Sequence, residues 1–222
     1  GGERRRVEIA RAVLPNPRLL LMDEPLTGLD MRARHEILPF IERLVAELSI
    51  PVFYVSHAAD EVARLADQLV LLDAGRIVAT GPINDMLTRL DLPLAHGEQA
   101  EALVEAVVAG HDDEFALTLL DFPGGRFCVP RKALRVGAPV RLRLLARRVR
   151  LTPDPHHDTS ILNIFPATVE AISAENESQN IVRLNAGGVP VLSQVTRKST
   201  VALDLQPGRV VYAQAKSIAL LA

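Results

Sequence analysis

Tryptophan is absent, and aromatic residues make up only 4% of the 222-residue chain. Any core is therefore expected to be aliphatic. There is one cysteine, Cys128, which excludes an intramolecular disulfide framework and suits a reducing compartment. In Arg126-Phe127-Cys128-Val129 the thiol reads as a small buried hydrophobe. No apolar run reaches the roughly 18 residues of a membrane span, and the start lacks a charged segment followed by an apolar signal region. These absences predict a soluble, cytoplasmic protein that meets a membrane only through a partner. Net charge is also small: 25 Lys and Arg against 27 Asp and Glu give -2, with no electrostatic reason to expect nucleic acid. A Gly-x-x-x-x-Gly-Lys-Ser/Thr phosphate loop is missing as well.

What is present is enough apolar material, 48% of the residues, for one to two domains. Residues 2–14 read as a helix with Val7, Ala10 and Leu14 on one face, stopped by Pro15-Asn16-Pro17. Leu19–Met22 and Val52–Val55 are short apolar runs, expected as strands buried on both faces of a parallel sheet. Between them, residues 31–48 form an amphipathic helix with Ile37, Ile41, Leu44 and Leu48 on one stripe and Pro39 within it. A helix at 58–65 follows, then a strand at 69–72, a turn at Asp73-Ala74-Gly75 and a strand at 76–79. A short helix runs to Leu90. Strands alternating with helices predict an α/β domain ending near residue 95.

From about residue 101 the chain reads as short strands: 102–108, 114–120, 126–129, 140–145 and 149–151. After the polar link 152–158 come 164–172, 181–184, 189–195 and 209–221. Strands of this length and spacing predict a small barrel. The two β blocks read as halves of one accessory domain, without a convincing internal sequence repeat. His156-His157-Asp158 offers two adjacent histidines that face different ways, so an interdomain link is expected there rather than a metal site.

Several residues carry candidate chemistry. Gly1-Gly2-Glu3 opens the first helix, whose free N–H groups and positive dipole end suit a phosphate. Asp23 and Glu24 end a strand, where ligands gather in open α/β sheets. Asp23 there can hold Mg²⁺ through water, and Glu24 can polarise an attacking water. His57 follows the next strand and can hydrogen-bond a γ-phosphate. Asp30, in Thr27-Gly28-Leu29-Asp30, reads equally as a helix N-cap.

In this order the pieces resemble the second half of an ABC-transporter ATPase subunit. The resemblance covers residues 1–90: a signature remnant at Gly1-Gly2-Glu3, a Walker B strand at Leu19–Asp23, the catalytic-type Glu24, a D-loop at Thr27–Asp30 and the switch residue His57. The Leu-Ser that usually opens the signature is missing, so a piece of a longer ATPase is expected. The resemblance implies ATP and Mg²⁺ as cofactors and transport driven by a head-to-tail homodimer, with the signature residues contacting the ATP of the other subunit.

The β region resembles a molybdate-binding, Mop-type domain over residues 159–222. The similarity lies in Thr159-Ser160-Ile161-Leu162-Asn163, Val195-Thr196-Arg197-Lys198-Ser199, Leu203–Gly208 and Val211–Ser217. It implies an oxyanion site in which Ser160, Thr196, Ser199 and Ser217 supply hydroxyls and Lys216 the charge. Some Mop-type domains carry an arginine where this chain has Leu162. The whole is expected as an α/β ATPase part, 1–95, followed by an all-β, OB-like Mop or TOBE barrel domain, 96–222. The expected function is the ATP-hydrolysing subunit of a molybdate ABC importer at the cytoplasmic face of the inner membrane. Its partners would be membrane permease subunits and, indirectly, a periplasmic oxyanion-binding protein. Rival readings are the ATPase of a sulfate, iron or polyamine importer, or a non-enzymatic oxyanion-binding protein with an ATPase remnant.

Overall fold

A computed structural model describes residues 2–48, 50–155 and 158–221. They fall into two compact units, 2–67 and 68–221. Gly1 and the His156-His157 pair lie outside the described residues.

The first unit runs α1 (Gly2–Val13), β1 (Leu20–Asp23), α2 (Met31–Glu47), β2 (Val52–Val55) and α3 (Ala59–Leu65). β1 and β2 pair in parallel, from Leu20 opposite Val52 to Asp23 opposite Val55. The predicted stripe of α2 is the buried one: Ile37 and Ile41 are sealed, and Leu44 and Leu48 pack beside them. The predicted face of α1 is not. Val7 and Leu14 are exposed, while Ile9 is buried and Val13 packs beside it. The cause is close helix approach. A Cβ on Gly2 would stand 3.6 Å from both Ala33 and Ile37 of α2, so the row Gly2, Arg5, Ile9, Val13 faces inward. The strands also depart from expectation. Leu20 and Met22 enter the core, but Leu19, Leu21, Phe53 and Val55 are exposed. Alternate residues of a strand point to opposite faces, and the described residues cover only one face.

The second unit opens with β3 (Gln68–Asp73) and β4 (Arg76–Pro82), an antiparallel hairpin. Its two turn residues, Ala74 and Gly75, have φ of 46° and 75°, the left-handed pair that matches strand twist. α4 (Ile83–Thr88) follows and buries Ile83, Met86 and Leu87. The hairpin and α4 thus fall with the β-rich unit, and the division between units comes before the boundary expected near residue 95.

Next come β5 (Glu101–Asp112), β6 (Leu117–Phe122), β7 (Gly125–Pro130), β8 (Pro139–Leu145), β9 (Val149–Thr152), β10 (Asn163–Ala174), β11 (Gln179–Ala186), β12 (Val189–Thr196), α5 (Arg197–Ala202), β13 (Val210–Ala215) and β14 (Ala219–Leu221). They form two five-stranded sheets, β7-β6-β5-β8-β14 and β12-β11-β10-β13-β9. The sheets share one core, mostly aliphatic as expected but with three of the six phenylalanines gathered in it. At its centre Phe122, Phe127 and Phe165 stack and cross, with ring centroids 4.4 to 5.4 Å apart.

The sheets are two copies of one plan, and each is completed by the last strand of the other copy. β5 bulges between Val108 and Gly110, and β10 between Val169 and Ala171. Gly137 N–H donates to Val108 at 2.8 Å, and Gly208 N–H donates to Val169 at 2.8 Å. Val108 and Val169 each donate back at 2.9 Å, to Ala138 and Arg209. Gly137 and Gly208 have φ of 85° and 90°. The repeat is carried by backbone bonds and two left-handed glycines, not by side chains. Sequence comparison of the halves therefore does not reveal it.

Candidate functional site

In the first unit β1 delivers Asp23 and Glu24 to its C-terminal end. Asp23 is exposed. Glu24 continues the ladder, its N–H donating to Val55 at 2.9 Å, but its φ of 45° is left-handed. A non-glycine residue there carries local strain, often found at functional sites. The carboxylate is bound on both sides. Oε1 accepts from His57 Nδ1 at 2.7 Å and from the His57 backbone N–H at 3.2 Å. Oε2 accepts from the Thr27 hydroxyl at 2.8 Å. The His57 bond first, and the Thr27 bond after it, hold the Glu24 carboxyl below the usual carboxylate range. An ionised carboxylate only accepts, so His57 Nδ1 carries the proton. The imidazole itself is 80% exposed.

Leu26, fully buried, anchors the loop after Glu24. Asp30 then caps α2, its side chain accepting from Ala33 N–H at 2.8 Å. Gly2 and the exposed Glu3 open α1. The structure thus joins Glu24 to His57, and adds Thr27, which the sequence placed only as part of a motif. No group of three His, Cys, Asp or Glu side chains that could hold a metal occurs among the described residues. A single exposed carboxylate such as Asp23 does suit Mg²⁺ that keeps its waters and bridges phosphates.

The candidate oxyanion residues fall into two groups. Thr196 caps α5: its hydroxyl accepts from Ser199 N–H at 3.0 Å and lies 2.8 Å from the Ser199 hydroxyl. Thr196 faces Gln179, next to the pair Asn180 and Ala174 at the C-terminal end of β10. Lys216 and Ser217 follow Ala215, which faces Asn163 at the N-terminal end of β10. Ser160 precedes that end by three residues, and all three side chains are exposed. A strand of this length spans roughly 35 Å. Within one chain the two groups do not meet. Asn163, quoted only within a motif, has a clear structural role. It is buried, accepts Cys128 N–H at 2.6 Å and donates to Ala215 at 3.2 Å, tying β7 to β10 and β13. Cys128 is half-buried rather than buried, and burial raises its thiol above the ordinary value.

Residues 1–27 match the ABC transporter family and residues 159–222 match the TOBE domain family. Neither match covers half of the chain: the first spans α1 and β1, and the second runs from Thr159 through the strands from β10 onward. Over its whole length it is similar to proteins named molybdenum import ATP-binding protein ModC. It is 53% identical to the one from Albidiferax ferrireducens, covering 60% of that protein, and 51% identical to that of Aromatoleum aromaticum, covering 59%. It is 52% identical to the ModC 1 of Azotobacter vinelandii, covering 62%. The chain therefore spans about 60% of the length of the relatives it matches. A solved cytoplasmic molybdate-binding protein is a distant likeness, 24% identical with a TM-score of 0.45, over 53% of this chain and 93% of its own.

Proposed function

We propose that this chain is the C-terminal part of the ATP-hydrolysing subunit of a molybdate importer. The observation that carries the reading is the Glu24–His57 contact at the end of two parallel strands, in a chain half identical throughout to molybdenum import ATP-binding proteins. Glu24, ionised and oriented by His57 and Thr27, accepts a proton from the attacking water as it meets the γ-phosphate. His57 donates its Nδ1–H to Glu24, and a protonated Nε2 would donate to the γ-phosphate. Asp23 would hold Mg²⁺ through water, and that ion neutralises phosphate charge when bound. Gly2 and Glu3, with Gly1, and Asp30 of the D-loop would meet the nucleotide of a second subunit.

Residues 1–95 are the ATPase-derived part of this reading. Support comes from apolar side chains left in water on its strands: Leu21 and Phe53 on β1 and β2, and Leu72 and Ile77 on β3 and β4. A longer ATPase domain would cover them. The oxyanion site is shared between two copies, Ser160, Lys216 and Ser217 from one and Thr196 and Ser199 from the other. Among the described residues no helix is long and apolar enough to cross a membrane. The subunit works at the cytoplasmic face of the inner membrane on permease subunits, fed by a periplasmic oxyanion-binding protein.

The test is to express the chain with an upstream phosphate-loop region and its permease in vesicles. Molybdate-dependent, Mg²⁺-dependent ATP hydrolysis is expected. Hydrolysis stimulated by sulfate, iron or polyamine instead would reassign the cargo, and none at all would reject the ATPase role.

A further inference from the structure

Glu61 is a carboxylate that the proposed reaction does not use, yet its side chain is only 2% exposed. Burying a charge is costly unless it is bonded on every side. Its Oε2 accepts from the Tyr54 hydroxyl at 2.8 Å and from the Ser56 hydroxyl at 2.8 Å. Its Oε1 lies 3.5 Å from the Arg34 guanidinium. The Ser56 oxygen in turn accepts the Ala58 N–H at 3.1 Å. Ser56 and Ala58 are the two neighbours of His57. One buried carboxylate oxygen therefore grips the histidine loop from before and, through Ser56, from after. Burial first, and the Glu61 bond second, keep the Tyr54 phenol far above its ordinary value, so it stays a donor. Arg34 brings in a third element. Its N–H donates to the Asp30 carbonyl at 3.0 Å, in the first turn of the helix that Asp30 caps.

We infer that Glu61 is the positioning residue for His57, fixing the backbone that aims the imidazole at Glu24 and tying that loop to the Asp30 helix. The inference rests on the ATPase reading above. Packing alone does not explain a carboxylate here, since an apolar side chain would fill the same space without a desolvation cost. What the carboxylate adds is direction: two hydroxyls and a guanidinium converge on it from β2, the loop and α2.

The experiment uses the complete subunit with its upstream phosphate-loop region and its permease. Glu61→Ala should lower kcat for ATP by about ten- to hundredfold, since small misplacements of catalytic groups cost that much. KM for ATP should stay within about threefold, because His57 acts in turnover rather than in binding. Glu61→Gln retains an acceptor oxygen and should recover part of the loss. The decisive variant is the double one. If Glu61 works through His57, Glu61→Ala with His57→Ala should be no slower than His57→Ala alone. Losses that multiply would overturn the inference while leaving the ATPase reading intact. Wild-type kcat in both His57→Ala and Glu24→Gln would overturn the ATPase reading and this inference with it. Should Glu61→Ala not fold, Ser56→Ala answers instead. It removes the bridge to Ala58 but keeps the Tyr54 bond, and unchanged kcat in that variant would overturn the proposal.

Discussion

His57 meets Glu24 twice, through its ring Nδ1 at 2.7 Å and its backbone N–H at 3.2 Å, on the same carboxylate oxygen. A backbone bond and a side-chain bond from one residue fix both the position and the orientation of the carboxylate. In the complete subunit, Glu24→Gln is therefore expected to suppress turnover while leaving ATP binding intact, since an amide cannot take the proton. His57→Ala should lower kcat by about 10²–10³-fold, the range for losing one hydrogen-bond donor to developing charge. Its melting temperature should hardly move, because the ring is 80% exposed. Steady-state ATPase assays and nucleotide-binding titrations check both. Strong hydrolysis by the Gln variant would remove Glu24 from the role of base.

The 222-residue chain by itself should not turn over ATP at a measurable rate. It contains no phosphate loop to hold the β- and γ-phosphates. A phosphate-release assay on the purified chain with Mg²⁺ and millimolar ATP is the check. Activity above the buffer blank, unaffected by Glu24→Gln, would point to a contaminant. Activity lost in that variant would show that the described residues suffice.

Gly187 should tolerate no side chain. Its φ is 63°, and a Cβ there would stand 2.4 Å from the Pro123 carbonyl oxygen and 2.8 Å from Gly124 Cα. Backbone atoms cannot swing aside as a lysine tip can. Gly187→Ala is expected to destabilise the β unit by about 1–3 kcal/mol, the range for a strained backbone position. Gly188→Ala, with nothing within 4 Å, carries only the conformational part of that cost. Paired urea melts of the two variants separate the clash from the dihedral strain.

How far the sequence alone reaches depends on where the information sits. The Ile37 and Ile41 stripe was legible because a helical period of apolar residues is local. So was the Asp30 cap, which needs only Ala33 nearby. The inward face of α1 was not, because the choice between Val7 and Ile9 is made by a close approach at Gly2 to a helix some thirty residues later. The duplicated barrel was hidden for a related reason. Its two halves keep the bonds of Gly137 and Gly208, not the residues around them. The stretch 209–221 was expected as one strand. It breaks at Lys216–Ile218 because β13 and β14 belong to different sheets. The helix α5 was missed, six residues being too short for a periodic signal. Among the candidate residues, positions at strand ends were legible, whereas which of them lie near one another was not: the separation of Thr196 from Lys216 follows from strand register alone.

His96 supplies a pH dependence. Its Nδ1 lies 2.6 Å from Glu175 and its Nε2 lies 2.9 Å from the Leu90 carbonyl. Both partners only accept, so the bonded form is the imidazolium. Burial works against that charge, but the Leu90 carbonyl and Glu175 outweigh it and raise His96 above its ordinary 6.5. Burial likewise opposes an ionised Glu175, and its bonds from His96 and Gly97 still hold it below 4.5. A raised histidine stabilises fully below its unfolded value and loses that contribution as pH rises through the folded one. A depressed carboxylate contributes above its unfolded value and loses that as pH falls through the folded one. The pair is therefore at full strength between about 4.5 and 6.5. At pH 6, His96→Ala should cost about 1.5–3 kcal/mol, the range for a charge-assisted hydrogen bond. The cost should shrink once the pH passes the raised value. Denaturant unfolding of the β unit from pH 5 to 9 reads this, and an equal cost at both ends would show that charge plays no part.

The proposed oxyanion site is tested by heat. Ser160, Lys216 and Ser217 lie at one end of β10 and Thr196 and Ser199 at the other, so under the proposed function one chain would offer two half-sites. Molybdate, a tetrahedral dianion, should then bind at the junction of two copies and favour their association. Binding to the folded form alone stabilises by about 2.7 kcal/mol at a hundredfold excess over the dissociation constant. Scanning calorimetry should show the β-unit transition rising with molybdate, and light scattering should show dimers. Lys216→Ala should abolish the shift, because it removes the cation assigned to the site. Thr196→Ala should weaken both the anion response and the α5 cap, the latter by about 1 kcal/mol without any anion present. Sulfate should do less than molybdate, since a cradle shaped for longer metal–oxygen bonds holds the smaller anion loosely. A shift of equal size with both anions, surviving Lys216→Ala, would mean general salt stabilisation. No shift at millimolar molybdate would remove the anion from the barrel, and the arginine replaced by Leu162 would be the first cation to restore.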